Sequence, residues 1–89
     1  MDSRERSVSV DMTNRNSIEE YLASIWRQLF SLDHVNYLDN FFELGGDSVI
    51  ALELVATLND VLDVEIDISV IYERPTISEL SDYIASGPE

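Results

Sequence analysis

Residues 41–54 read FFELGGDSVIALEL, and the architecture of the chain can be worked out from them in both directions. Gly45, Gly46 and Asp47 stand just before Ser48, and a helical pattern of apolar residues begins directly after the serine. Because a Gly-Gly hinge leads into a helix start, we expect the Ser48 hydroxyl to be exposed beside free backbone N–H groups and the positive end of the helix dipole. Such a place suits an anionic group, so the pattern predicts a phosphate attachment point at Ser48.

The helix that starts at Ser48 is predicted over residues 48–62, and its side chains separate into two faces at about 100° per residue. One face should enter the core; its members are Ile50, Ala51, Leu54, Val55, Leu58, Val61 and Leu62. The other face includes apolar residues that burial does not need, together with Asn59 and Asp60. We predict that part of it is a docking face for partner proteins, with scattered exposed aliphatic residues as the open alternative. The predicted docking face consists of Val49, Leu52, Glu53 and Ala56.

A first helix is predicted over residues 17–32, where Ser17 and Glu20 match a capping box. Its apolar residues recur at helical spacing: Ile18, Tyr21, Leu22, Ile25, Trp26, Leu29 and Phe30. The connection over residues 33–44 is long for a small bundle, and its apolar side chains should pin it across the helices. These side chains are Val35, Tyr37, Leu38, Phe41 and Phe42.

Two more helices are predicted near the C-terminus. Residues 69–74 should form a short helix that buries Ile71 and Tyr72 and that Pro75 ends. A second capping box and three apolar residues mark the final helix: Thr76, Glu79, Ile77, Leu80 and Ile84. The predicted fold is an all-α four-helix bundle with three longer helices, a short third helix and a long loop between helices one and two. We assign residues 1–16 to a disordered tail, 17–86 to the domain and 87–89 to a C-terminal tail.

Composition limits the possible partners. The 89 residues carry 18 acidic side chains against five arginines, for a net charge of −13. Nucleic acid and anionic lipid would be repelled, whereas basic protein surfaces would be attracted. The chain has no cysteine and no apolar run long enough for a signal or membrane-spanning segment. We therefore expect a cytoplasmic protein that binds neither nucleic acid nor membrane.

Metal-binding and catalytic signals are weak. His34 is the single histidine, and no second histidine or cysteine accompanies it, so we interpret it as a loop residue. Residues 63–67, DVEID, begin like a calcium loop but lack its Gly and distal Glu, and Val64, Ile66 and Ile68 are expected to anchor this segment in the core. We predict no metal site and no catalytic residue.

Three features together carry a family resemblance: the Ile25-Trp26 pair, DNFFELGGDS over residues 39–48, and RPT over residues 74–76. The chain resembles the phosphopantetheine-dependent carrier proteins, and most closely the peptidyl carrier (thiolation) domains of nonribosomal peptide synthesis. The resemblance covers residues 18–84. It implies an acyl-carrier-like bundle in which 4′-phosphopantetheine from coenzyme A is attached to Ser48, with Gly45, Gly46 and Asp47 beside it.

The resemblance also implies the role of the chain and its partners. A non-catalytic carrier of this kind holds an aminoacyl, peptidyl or small acyl group as a thioester on the arm. Its partners would be a phosphopantetheinyl transferase, an adenylating enzyme that loads the cargo, and downstream tailoring, condensation or acyltransferase enzymes. We expect a monomeric, free-standing carrier, with a module excised from a larger synthetase as the open alternative.

Other functions stay open at this point. Asp47 stands where many peptidyl carriers have His, and the acidic balance is typical of acyl carriers of polyketide or fatty acid synthesis, whereas FFELGG favours a peptidyl carrier. A non-covalent acidic interaction module, with Ser48 never modified, is a further alternative. A hydrolase fits less well, because its nucleophile elbow needs Gly two residues after the serine, where this chain has Ile50.

Overall fold

The structure is a computed structural model that describes residues 14–86. Four helices follow one another: α1 (Arg15–Phe30), α2 (Ser48–Val61), α3 (Ile68–Glu73) and α4 (Ile77–Ser86). No strand occurs in this part of the chain. The predicted all-α four-helix bundle with a short third helix is confirmed. Residues 1–13 of the predicted tail and residues 87–89 lie outside the described residues.

Helix α1 begins two residues earlier than predicted. Asn14 is its N-cap, and the side-chain carbonyl of Asn14 accepts the amides of Asn16 and Ser17 over 2.9 and 3.4 Å. Asparagine is among the best N-cap residues, so the prediction of a Ser17–Glu20 capping box is wrong. The helix ends at Phe30, because Ser31 adopts the left-handed conformation with φ 56°.

Arg15 fastens the start of α1 to α4. Its guanidinium donates to Glu19 over 2.7 Å, and to the backbone carbonyl and hydroxyl of Ser78 over 2.8 and 3.0 Å. Asp82 lies 3.7 Å away. The sequence placed Arg15 in the disordered tail, whereas the structure makes it part of the contact between α1 and α4.

The core lies between the four helices and the long connection. Its fully buried large side chains include Trp26, Phe41, Ile18, Leu22, Leu54, Leu58, Ile71, Ile77 and Leu80. Val61 was predicted to be in the core but is 40% exposed. It lies about 60° around the helix from buried Leu58, toward the exposed side.

The connection over residues 31–47 is packed against the junction of α3 and α4. The Phe41 amide donates to the Pro75 carbonyl over 2.7 Å, and the Ser78 amide donates to the Tyr37 carbonyl over 3.1 Å. Phe41 is buried as predicted. Leu38 was expected to pin the loop, but its side chain is exposed, so that prediction is wrong. The Asn36 side chain accepts the Leu38 amide over 2.8 Å and holds the backbone of this turn.

The segment between α2 and α3 is anchored by a side chain that sequence reasoning placed on the exposed face. The Asn59 amide group donates to the Ile66 carbonyl over 3.0 Å and accepts the Ile66 amide over 2.9 Å. Ile66 is buried, which confirms the predicted anchor. Helix α4 begins as predicted, since the Thr76 hydroxyl accepts the Glu79 amide over 3.1 Å. Within residues 14–86, no helix combines the length and apolarity needed to cross a bilayer.

Candidate functional site

Ser48 is the first residue of α2, and its side chain is exposed. Asp47 is the N-cap: its carboxylate accepts the Ile50 amide over 3.0 Å, and its carbonyl accepts the Ala51 amide over 2.8 Å. The Asp47 carboxylate thus takes one of the amides that the sequence left free for an anion. The exposed position of Ser48 is as expected, but the helix end beside it already carries a negative charge.

The two glycines form a tight turn rather than the flexible hinge that we expected. Gly45 has φ +116°, a conformation that L side chains rarely adopt. The Gly46 amide donates to the Phe41 carbonyl over 3.0 Å, and a Cβ atom on residue 46 would lie 2.5 Å from the ring carbon Cδ2 of Phe41. Both glycines are therefore required by the turn itself.

An aromatic series leads from the core to the serine. Phe41 is fully buried and contacts Trp26 and Phe30 edge to face. Phe42 packs edge to face on Phe41 at 5.1 Å, and the Tyr72 ring is stacked on Phe42 at 4.9 Å with 3° between the planes. Phe41 and Phe42 thus hold the Tyr72 ring of α3 in place beside the start of α2.

Tyr72 is the residue of the candidate site that the sequence did not point to. It was predicted to be buried, whereas it is 50% exposed, and its hydroxyl lies 3.0 Å from the Ser48 hydroxyl oxygen. Burial in α3 falls instead on Val70 and Ile71. The available signal was the residue type, because tyrosine prefers positions where its hydroxyl can reach a polar partner.

The predicted docking face lies beside this site. Val49 is 66% and Leu52 is 55% exposed, and Glu53 and Ala56 are also exposed on α2. The structure therefore brings exposed apolar side chains together next to Ser48. Their role as a docking surface stays a prediction.

A cleft lies between one side of α1 and Thr57 of α2, and Thr57 is about 13 Å from Ser48 by the rise of the helix. Its volume is about 380 Å³, and its lining residues are Tyr21, Ser24, Ile25, Gln28, Leu29 and Thr57. Burial, with a smaller contribution from the Asp60 carboxylate, raises the pKa of the Tyr21 hydroxyl. The cleft is separate from the exposed serine.

Comparison with known families explains this arrangement. Residues 20–84 match the family described as "Phosphopantetheine attachment site". The chain belongs to this family. It is a non-catalytic carrier domain, and the cofactor of the family is 4′-phosphopantetheine, attached covalently from coenzyme A. The resemblance found in the sequence is confirmed.

The carrier domain is similar to segments of large bacterial synthases. It is 43% identical over 72 residues to gramicidin S synthase 2 of Brevibacillus brevis, covering 81% of this chain and 2% of the synthase. It is 39% identical over 75 residues to bacitracin synthase 3 of Bacillus licheniformis, covering 84% of this chain and 1% of the synthase. The chain thus spans a small fraction of the length of these relatives.

Solved structures of similar sequence share the fold of the carrier domain. BlmI, a type II acyl carrier protein of Streptomyces verticillus involved in bleomycin biosynthesis, superposes with a TM-score of 0.76 at 28% identity, covering 81% of this chain and 87% of BlmI. A peptidyl carrier protein solved with the transferase Sfp and coenzyme A gives 0.74 at 29% identity, covering 90% and 96%. An active-site mutant of a peptidyl carrier protein gives 0.75 at 34% identity, covering 80% and 79%.

The residues around Ser48 fit the cofactor. An exposed primary hydroxyl at the end of a helix can be reached by a separate enzyme, and the neutral Tyr72 hydroxyl beside it can donate a hydrogen bond to a phosphate oxygen. When attached, the arm supplies a terminal thiol that can hold an acyl group as a thioester.

Proposed function

We propose that Ser48 is the attachment point of the 4′-phosphopantetheine arm, and that the carrier domain holds an aminoacyl or peptidyl group in nonribosomal peptide synthesis. The observation that carries the assignment is the exposed hydroxyl of Ser48 at the first residue of α2, within the segment that matches the family. In the attachment, Ser48 Oγ bonds to phosphorus and its proton passes to the transferase, while coenzyme A releases adenosine 3′,5′-bisphosphate.

Contrast with another exposed serine at a helix start supports the choice of Ser48. Ser69 lies at the second residue of α3, and its hydroxyl donates to the Asp67 carboxylate. An anionic group on Ser69 would replace that hydrogen bond with repulsion between like charges. The Ser48 hydroxyl instead faces the neutral hydroxyl of Tyr72.

The surface around Ser48 supports the partner assignment. We propose that a phosphopantetheinyl transferase, an adenylating enzyme and downstream condensation, tailoring or acyltransferase enzymes bind at the docking face of Val49, Leu52, Glu53 and Ala56. The net charge of −13 favours basic partner surfaces. A monomeric carrier in the cytoplasm is part of the same proposal.

Service as an acyl carrier of polyketide or fatty acid synthesis is the second candidate. The similarity to BlmI, an acyl carrier protein, favours it. The two candidates differ in loading. The holo protein of a peptidyl carrier should accept an amino acid from an adenylating enzyme, whereas that of an acyl carrier should accept a malonyl-type group from an acyltransferase.

The attachment site is tested by intact-mass measurement. The purified chain is incubated with coenzyme A and a broad-specificity phosphopantetheinyl transferase, in parallel with Ser48→Ala and with Ser69→Ala as the matched control. We expect one added phosphopantetheine in the unsubstituted chain and in Ser69→Ala, and none in Ser48→Ala. A modified Ser48→Ala chain, or an unmodified natural sequence, would overturn the assignment.

A further inference from the structure

Tyr72 connects α3 to Ser48 through a side chain that is half in solvent. Its hydroxyl oxygen lies 3.0 Å from Ser48 Oγ, which is normal hydrogen-bond geometry. Within residues 14–86, Tyr72 is the hydrogen-bond partner found for the Ser48 side chain. Ser48 therefore does not present a freely rotating hydroxyl to a partner enzyme.

The position of the Tyr72 hydroxyl is determined by packing. Its ring lies parallel to Phe42 at 4.9 Å, and Phe42 in turn packs edge to face on the fully buried Phe41. Stacked and edge-to-face aromatic contacts of this kind add about 0.5–1.5 kcal/mol beyond the area they bury. A half-exposed tyrosine would otherwise sample several rotamers, but this ring is supported from the core outward.

The chemistry of the two hydroxyls favours tyrosine as the donor. A phenol is more acidic than an aliphatic alcohol, so its O–H is the better hydrogen-bond donor and the serine oxygen the better acceptor. In that arrangement the Ser48 proton and one lone pair stay available to an incoming transferase. The same donor would lie beside any group that becomes attached to Ser48 Oγ.

We propose, on the basis of the assignment of Ser48 as the attachment point, that Tyr72 is a positioning residue which holds Ser48 Oγ before modification and donates a hydrogen bond to the attached phosphodiester afterwards. Once bonded to phosphorus, Oγ is a weaker acceptor, while the free phosphate oxygens share a negative charge. A hydrogen bond to an ionised acceptor is about twice as strong as one between neutral groups.

The charges near Ser48 make a neutral donor valuable. Asp47 caps α2 through its carboxylate, and Glu43, Glu53 and Glu73 are exposed on the elements that flank the site. Arg74 directly follows α3, and its guanidinium lies over the Tyr83 ring at 5.1 Å. The Tyr72 hydroxyl can stabilise a phosphate without a positive charge and without repulsion from these acids.

The test removes one oxygen atom. Tyr72→Phe keeps the ring that stacks on Phe42, and Tyr83→Phe removes the same atom from a half-buried tyrosine on α4. Transferase kinetics are followed by intact mass on the apo proteins. We expect kcat/KM for modification to fall roughly 2- to 12-fold in Tyr72→Phe, the range of one neutral hydrogen bond, with no change in Tyr83→Phe.

The deciding measurement is ³¹P NMR of the holo proteins, which does not depend on the rate of any enzyme. Loss of the hydrogen bond should shift the phosphodiester resonance and lower its transverse relaxation rate in Tyr72→Phe, because the phosphate then moves more freely. A Tyr72→Phe spectrum identical to that of the unsubstituted holo protein, or the same change in Tyr83→Phe, would overturn the role of Tyr72 whatever the rates. Either of these NMR results would leave the assignment of Ser48 intact. That assignment fails only if Ser48→Ala is modified by the transferase or the natural sequence is not modified.

Discussion

The amide of Gly46 donates to the carbonyl of Phe41, and a Cβ atom on residue 46 would lie 2.5 Å from the Phe41 ring carbon Cδ2 and 2.8 Å from the Phe41 carbonyl oxygen. Phe41 is fully buried and cannot move without disturbing Trp26 and Phe30. The residue two positions before Ser48 is thus tied to the centre of the core.

Gly46→Ala should therefore destabilise the domain by about 1–3 kcal/mol, the cost of forcing an extra carbon into a packed region. Urea unfolding followed by circular dichroism measures the change. Glu43→Ala, an exposed substitution in the same segment, should stay within about 0.5 kcal/mol of the natural sequence. Equal stability of Gly46→Ala and the natural sequence would show that the Phe41 ring is not held against this turn.

Leu52→Asp should slow loading by partner enzymes while the thermal midpoint stays nearly unchanged, because Leu52 is 55% exposed on the predicted docking face. Val61→Asp is the matched control, since Val61 is also an exposed apolar residue of α2 but lies at the opposite end from Ser48. Initial rates of transferase modification and of aminoacyl loading are compared. Equal rates for the two variants would argue against a docking role for this face.

Trp26→Ala should cost about 3–5 kcal/mol, enough to unfold much of a domain whose total stability is of the same order. Trp26 is fully buried and contacts Phe41 edge to face at 5.3 Å. Trp26 is the single tryptophan, so the substitution removes the residue whose fluorescence would report unfolding. Unfolding is therefore followed by far-ultraviolet circular dichroism. Trp26→Phe keeps an aromatic ring and should therefore lower the free energy of unfolding by less than Trp26→Ala does. A cooperative, natively stable Trp26→Ala would contradict the core described above.

The stabilisation that Asp67 gives as the N-cap of α3 depends on pH. The Ser69 hydroxyl, followed by the Ser69 amide, lowers the pKa of the Asp67 carboxyl. Because the folded pKa is below its unfolded value, the stabilisation is present above the unfolded pKa and is lost as pH falls through the folded pKa. In an NMR titration from about pH 6 to about pH 2, the midpoint for Asp67 should rise toward the ordinary aspartate value in Ser69→Ala. An unchanged midpoint would show that the Ser69 hydroxyl does not stabilise the carboxylate.

Local patterns predicted much of this molecule. Apolar spacing predicted α1 and α2 and placed Leu54 and Leu58 in the core. Pro75 and the Thr76–Glu79 capping box marked the end of α3 and the start of α4, and the residues around Ser48 indicated the family. What could not be predicted depends on distant partners. Arg15 donates to Ser78, 63 residues away, and this contact cannot be read from the residues around Arg15. The local signals, Asn14 as an N-cap and Glu19 four residues after Arg15, were not used.

The predictions for the start of α1 and for Tyr72 beside Ser48 were wrong for related reasons. Ser17 and Glu20 match the capping-box sequence, but Asn14 is the residue that caps α1 in the structure. Asn and Ser are about equally good N-caps, so residue type does not decide between them. The ring of Tyr72 led us to predict it in the core, although its hydroxyl was a signal for a polar partner. The stacking on Phe42 shows why the hydroxyl is directed toward Ser48.

The hydrogen bonds from Phe41 to Pro75 and from Ser78 to Tyr37 have a practical consequence for chimeric carriers. These hydrogen bonds join the loop that leads to Ser48 to the α3–α4 junction that follows Tyr72. A graft of DNFFELGGDS alone would therefore transfer the serine without the residues that contact its loop. Recombination boundaries should instead fall before residue 37 and after residue 78, so that the loop and the α3–α4 junction both come from one parent.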